Sequence, residues 1–298
     1  MPSILERIHQ GEVLVADGAM GTLLFQNGLM ANECPESFNL SRPEVLEDIA
    51  NQYFKAGADI IQTNTFGGSP LKLAQYGLDD QIEEINIAAV AAVRRAVGDQ
   101  AYVSGSCGPC GKILIPYGDT VPELVYDGFV KQIRALAKGG VDMICIETMI
   151  DINEAVLAVR AAKVEAPSLP VMATMTFDQT PKGFFTIMGT TIDKACPELA
   201  KAGADIIGSN CGHGIEMMIK IAKEFRTHCG MPLVIQANAG LPELEDGRPV
   251  YRETPEFMAE KAEELISVGV SVIGGCCGTT PRHIAALRRM VDRQNTKE

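Results

Sequence analysis

Two adjacent cysteines, Cys276 and Cys277, lie in the run Ile273-Gly274-Gly275-Cys276-Cys277-Gly278-Thr279-Thr280-Pro281, and a third, Cys211, follows the apolar run Ile206-Ile207-Gly208-Ser209-Asn210. Three thiolates with an open fourth position suit a zinc ion that keeps room for a substrate. A free thiol, with a pKa near ~8.5, is only a few per cent ionised at neutral pH, whereas a zinc-bound thiol is deprotonated outright. A substrate thiol in the fourth position would stay nucleophilic at pH 7, which points to alkyl transfer to sulfur. Successive strand residues face opposite sides, so neighbouring cysteines converge on one ion only where the chain bends, and Gly274, Gly275 and Gly278 permit a bend. The competing reading of such a pair is one core residue and one surface residue.

The elements that must position these thiols are announced by a repeat. Lys55-Ala56-Gly57-Ala58-Asp59-Ile60-Ile61 recurs as Lys201-Ala202-Gly203-Ala204-Asp205-Ile206-Ile207, with weaker copies starting at Lys138 and Ser267. Each copy reads as helix end, glycine turn, buried strand. Between the copies fall further apolar runs at Val13 to Ala16, Ala101 to Ser104, Val171 to Thr174 and Leu233 to Gln236. Eight short strands alternating with amphipathic helices predict an α/β fold, a single (β/α)8 TIM barrel, treated as one domain over residues 1–298. Ser41-Arg42-Pro43-Glu44, Thr120-Val121-Pro122-Glu123 and Asp151-Ile152-Asn153-Glu154 read as helix starts of the capping-box type. A doubly wound open sheet competes, but Asp17-Gly18-Ala19-Met20-Gly21-Thr22 at the first strand end lacks the dinucleotide fingerprint.

Barrels of this type carry their sites at the C-terminal ends of the strands. Aligned copies of the repeat put Asn64-Thr65, Glu147-Thr148, Asn210-Cys211 and Cys276-Cys277 at equivalent rim positions, so Cys211 shares a rim with the cysteine pair. Asp17 and Glu147 each follow an apolar strand and should face the mouth, as site carboxylates or as a helix cap or buried ion pair. His213 is a loop histidine, a candidate ligand or a solvated side chain. Cys107-Gly108-Pro109-Cys110 has a spacing that could bind metal or form a redox pair, and receives no role. Cys145, inside Met143-Ile144-Cys145-Ile146, reads as core.

Composition narrows the classes. A net charge of −12 without a basic block argues against nucleic acid or an anionic membrane as the main partner. No stretch approaches a membrane span, and Glu6 and Arg7 stand where a signal peptide would be apolar, so a cytoplasmic location is expected. Nine cysteines, an odd number, without a secretion signal, argue for free thiols and ligands over a disulfide framework.

The motifs Asp17-Gly18-Ala19-Met20-Gly21-Thr22, Asn210-Cys211-Gly212 and Gly274-Gly275-Cys276-Cys277-Gly278-Thr279-Thr280-Pro281 resemble those of the homocysteine S-methyltransferase family. Asp59-Ile60-Ile61-Gln62-Thr63-Asn64-Thr65-Phe66, Glu147-Thr148 and Asn238-Ala239-Gly240 fall in the family's order, and the likeness runs over nearly the whole chain. It is nearest the homocysteine-binding barrel of cobalamin-dependent methionine synthases. The resemblance implies Zn2+ on Cys211, Cys276 and Cys277, with homocysteine thiolate as fourth ligand. It implies Glu147 and Asp17 for the substrate ammonium, and the backbone of Gly18, Ala19 and Met20 for its carboxylate. Asn238 would fill the fourth metal position when substrate is absent. The implied reaction is methyl transfer giving methionine. A chain of 298 residues has no room for folate and corrinoid modules, so a methylcorrinoid such as methylcobalamin is expected on a separate corrinoid protein. A self-sufficient enzyme using S-methylmethionine, S-adenosylmethionine or a betaine-like donor is the alternative, and the absence of Trp counts against an aromatic cage for a quaternary ammonium. A zinc-thiolate redox sensor or a non-catalytic corrinoid-binding subunit is the reading from another class. A different acceptor thiol, selenohomocysteine or methanethiol, is a third.

Overall fold

A computed structural model describes residues 1–245 and 248–295. The barrel strands are β1 (Leu14–Val15), β2 (Ile60–Gln62), β3 (Tyr102–Cys107), β4 (Met143–Met149) and β5 (Val171–Met175). A hairpin of β6 (Asp178–Thr180) and β7 (Gly183–Phe185) intervenes before β8 (Ile206–Asn210) and β9 (Leu233–Ala237). A second hairpin, β10 (Glu243–Glu245) and β11 (Arg248–Val250), precedes the last barrel strand, β12 (Val270–Gly275). The eight barrel strands are all parallel in the order β1-β12-β9-β8-β5-β4-β3-β2. A parallel bridge between Ala16 and Ile60 closes the ring, which makes the architecture a (β/α)8 barrel and excludes the open doubly wound sheet. The expected extent of 1–298 includes residues 246–247 and 296–298, which lie outside the described residues.

The repeat has a physical explanation. Gly57, Gly140, Gly203 and Gly269 have φ of 93°, 88°, 109° and 84°, the left-handed conformation that ends a helix and turns the chain into the next strand. The aspartate two residues on clamps the neighbouring strand. Asp59 accepts from the Val15 N–H at 2.9 Å, Asp142 from Val103 at 2.7 Å and Asp205 from Val171 at 2.8 Å. Each is also paired with cations: Asp59 with Arg7 and Arg288, Asp142 with Arg94, and Asp205 with Lys163. These clamps set the register at the end opposite the candidate site.

Inside the ring, Leu14, Ile60, Met143, Cys145, Met172, Ile206, Val234 and Val272 form a closed apolar layer, plugged from below by Ile4 and Ile8 of the helix Ile4–His9. Cys145 is core, as its sequence context predicts. Helix starts are more varied than the sequence suggests. Asp151 caps its helix by accepting from the Asn153 N–H, but Arg42 and Val121 occupy the other two cap positions without a side-chain bond. Proline at the first helical position, Pro43 or Pro122, replaces capping there, because its φ is already set and it has no N–H to satisfy.

Candidate active site

Strand ends bring the three cysteines together. Cys211 follows β8, and Cys276 and Cys277 follow β12, with their ligand atoms within 4.8 Å of one another. The expected bend is visible in the hydrogen bonds. Cys276 N–H still donates to Ala237 O on the neighbouring strand, at 2.8 Å. The Thr279 N–H and Oγ1 then return to Cys276 O, and Cys277 O accepts from Ala239 N–H. Cys211 has φ of 62°, unusual for a residue with a Cβ, and Gly212 continues the turn at 79°. Backbone strain of this kind at a thiol is typical of a functional position.

The thiols cannot all ionise without a cation. Hydrogen bonds from Cys276 and then Cys277 hold Cys211 far below the usual thiol range, while Cys276 and Cys277 are pushed up. The three thiols compete for ionisation, and a bound metal would take the place of the protons. The spacing fits such an ion: Cys211 Sγ and Cys277 Sγ are 3.8 Å apart, and tetrahedral zinc with Zn–S bonds near ~2.3 Å sets its sulfurs roughly 3.8 Å apart. Asn238, directly after β9, adds to the lowering of Cys211, and its buried Oδ1 has no partner.

Two carboxyls share this mouth. Asp17 is 1% exposed; Oδ2 accepts from Gln62 N–H at 2.8 Å, and Oδ1 is buried without a partner. Glu147 accepts from Ser106 Oγ at 2.5 Å and from Asn210 Nδ2 at 3.3 Å. Burial pushes Asp17 up to about 8, with Glu147 adding repulsion, and pushes Glu147 up to about 7. Neither caps a helix, and among the described residues neither has a cationic partner. A cation placed beside these two acids would favour their ionised forms.

Asn210, present in the sequence motif but given no task there, joins the two halves of the site. Its Nδ2 reaches Glu147, Thr148 Oγ1 and the Cys276 sulfur, and its Oδ1 accepts from Thr148 N–H and Thr174 Oγ1. Thr148 is held at φ of 59° by this contact. Thr279, fully buried, accepts from Ala19 N–H at 3.1 Å, and Tyr53 Oη donates to Ala19 O at 2.9 Å. The Gly18–Met20 loop is thereby fixed against the cysteine turn, with the Ala19 N–H already committed.

Other candidates stand apart. His213 Nε2 contacts Asp178 of the β6–β7 hairpin at 3.1 Å and is not in the sulfur cluster. Cys107 and Cys110 are buried free thiols, both raised by burial, with Cys110 Sγ near Lys112 O. A cavity of about 830 Å³ between the helices Ile215–His228 and Pro255–Val268 is lined by His213, Met217, Lys220, Glu253 and Phe257, and by none of the three cysteines.

Residues 14–291 match the family model for homocysteine S-methyltransferase. The chain belongs to the homocysteine S-methyltransferase family. It is 34% identical over 309 aligned positions to methionine synthase of Mycobacterium leprae, covering 98% of this chain and 25% of that protein. It is 35% identical over 289 positions to methionine synthase of Mycobacterium tuberculosis, covering 91% and 24%. The chain thus spans about a quarter of the length of these curated relatives. The oxidised form of the homocysteine methyltransferase MmuM from Escherichia coli superposes with a TM-score of 0.80 at 23% identity, over 96% of this chain and 99% of that one. Its metallated form gives 0.77 at 22%. At such identity these two structures establish a shared fold for this family member.

Proposed function

We propose that the chain, acting as one cytoplasmic domain, transfers a methyl group to the thiolate of homocysteine to give methionine, with Cys211, Cys276 and Cys277 as zinc ligands. The observation carrying this reading is the meeting of three sulfurs at zinc-ligand spacing with two buried carboxyls that lack a cation. Zinc, when bound there, would keep a substrate thiol ionised at neutral pH without a general base. Asp17 and Glu147 take the substrate ammonium, which supplies the positive charge their burial demands. Ser106 and Asn210 orient Glu147 for that contact, each holding one carboxylate oxygen. The Gly18–Met20 backbone receives the substrate carboxylate, with the N–H groups beside the committed Ala19 N–H donating to it. Asn238, whose Oδ1 lacks a partner, takes the fourth ligand position in the absence of substrate. The substrate sulfur attacks the methyl carbon, the new S–C bond forms as the donor's bond to methyl breaks, and the donor leaves with the electron pair. The product is a neutral thioether, a poorer ligand than a thiolate.

The donor we assign is a methylcorrinoid, methylcobalamin or a relative, presented by a separate protein; the sequence resemblance supports it. Cytoplasmic placement is supported by nine cysteines that are all free. Among the described residues no helix is long and apolar enough to cross a membrane. A redox sensor would have no use for Asp17 and Glu147, whose burial carries a cost without an amino-acid ligand. The deciding experiment offers free methylcobalamin and S-methylmethionine in parallel to zinc-loaded protein with homocysteine. Methionine from methylcobalamin alone supports the corrinoid reading. Turnover with S-methylmethionine alone identifies a self-sufficient enzyme, and silence with both overturns methyl transfer to homocysteine.

A further inference from the structure

The inward positions of β9 climb the barrel in steps of two. Side chains alternate between the faces of a strand, so Val234, which belongs to the closed apolar layer, is followed inside the ring by Gln236 and then, at the mouth, by Asn238. Gln236 belongs to no sequence motif. Its register partners are Asn210 on β8 and Gly274 on β12, and its backbone is tied to the thiol turn, because Gln236 O accepts from Cys211 N–H at 3.1 Å. The residue is 3% exposed, and its Oε1 is buried without a partner.

Gly274 leaves room for this side chain. A Cβ there would meet Ala16 Cβ at 2.8 Å, Asp17 O at 3.1 Å and Gln236 Cγ at 3.2 Å, so the glutamine and Asp17 flank the same bare stretch of β12. On the other side of Gln236, Asn210 reaches Glu147 through Nδ2 at 3.3 Å. Gln236 therefore stands between the supports of the two buried acids, and its amide oxygen gives up water there without a partner in the fold, at a cost in stability. An ammonium offers the missing partner, because it has three N–H donors to place. Asp17 Oδ1, itself unpartnered, is one acceptor and the Glu147 carboxylate a second. A third carboxylate would add charge to a buried site, whereas an amide oxygen accepts without adding any. Ser104 Oγ is also buried and unpartnered, but its register partner is Met143 of the apolar layer, two inward steps below Glu147. The inference rests on the reading that homocysteine occupies the mouth.

We propose that Gln236 is a substrate-binding residue whose Oε1 accepts one N–H of the homocysteine ammonium while Asp17 and Glu147 accept the other two. The test titrates zinc-loaded wild type, Gln236→Met and Gln236→Glu in a calorimeter, with homocysteine and with 4-mercaptobutanoate, the same thiol acid without its amino group. Gln236→Met keeps the length of the side chain and removes the acceptor. It should bind homocysteine more weakly by roughly tenfold or more, the scale of one hydrogen bond to a charged group, and bind 4-mercaptobutanoate as wild type does. Its zinc content should match wild type. An equal loss for both ligands, or no loss for either, overturns the proposal. Gln236→Glu keeps both the shape and an acceptor, so it should retain homocysteine binding, and it decides the matter if the methionine variant does not fold. Loss of homocysteine affinity in Gln236→Glu also overturns the proposal, because the amide would then be donating. Wild type that fails to bind homocysteine overturns the methyl-transfer reading itself, a result visible before any variant is made.

Discussion

Cys211 Sγ and Cys277 Sγ lie 3.8 Å apart across 66 residues of chain, each presented by the end of a different barrel strand. Between β8 and β12 in the ring stands only β9, whose end supplies Asn238.

Cys276→Ser is expected to bind less than a tenth of the wild-type zinc, on the order of a hundredfold weaker, because outer-shell changes alone cost 10–100-fold. Metal content after dialysis, read with methionine formation, checks it. Full turnover without metal would sink the zinc assignment.

The two raised carboxyls make a pH prediction. Their folded values, about 8 for Asp17 and about 7 for Glu147, exceed the ordinary 3.8 and 4.5. The native state then holds protons that the unfolded chain has lost, so this pair's contribution to stability falls as pH rises from about 4 toward about 8. Asp17→Asn should therefore melt higher than wild type at pH 8 without homocysteine, by at least about 1 kcal/mol, and lose that advantage near pH 4. The same variant should bind homocysteine more weakly by roughly 30-fold or more, since an ammonium loses a buried charged partner. Calorimetry at the two pH values, with and without homocysteine, reads both effects; a lower melting point at pH 8 would contradict the assignment.

Asn210→Ala should raise KM for homocysteine by roughly 10–100-fold, because Glu147 loses its second hydrogen bond and Thr148 its restraint at positive φ. Zinc content should fall far less than in Cys276→Ser. Equal loss of both would mean that Asn210 serves the sulfurs and not the carboxyl.

Away from the mouth, Asp59→Ala removes a clamp that holds Val15, Arg7 and Arg288 together. Arg7 and Arg288 are about a fifth exposed, so the expected loss is about 2–3 kcal/mol, below that of a fully buried pair. Urea denaturation measures it. A midpoint unchanged from wild type would show that the strand register does not depend on this clamp.

Much of this architecture is local and therefore legible in the amino-acid order. A helix end, a left-handed glycine and a short apolar strand occupy adjacent residues, so the Gly57, Gly140, Gly203 and Gly269 copies set the order of elements and place Cys211 on the rim of Cys276 and Cys277. The bend at Gly278 follows for the same reason. Tertiary structure alone decided which distant side chains meet once the ring closes. The Asn210 amide between Glu147 and Cys276, the Ser106 hydroxyl on Glu147, Thr279 under Ala19 and the Tyr251 ring against Gly278 all join residues from separate loops, and no sequence period encodes those contacts. The charge state of Asp17 and Glu147 is likewise a tertiary property: a carboxyl's pKa is set by the water it loses and the neighbours it gains, and both are fixed only when the barrel mouth forms.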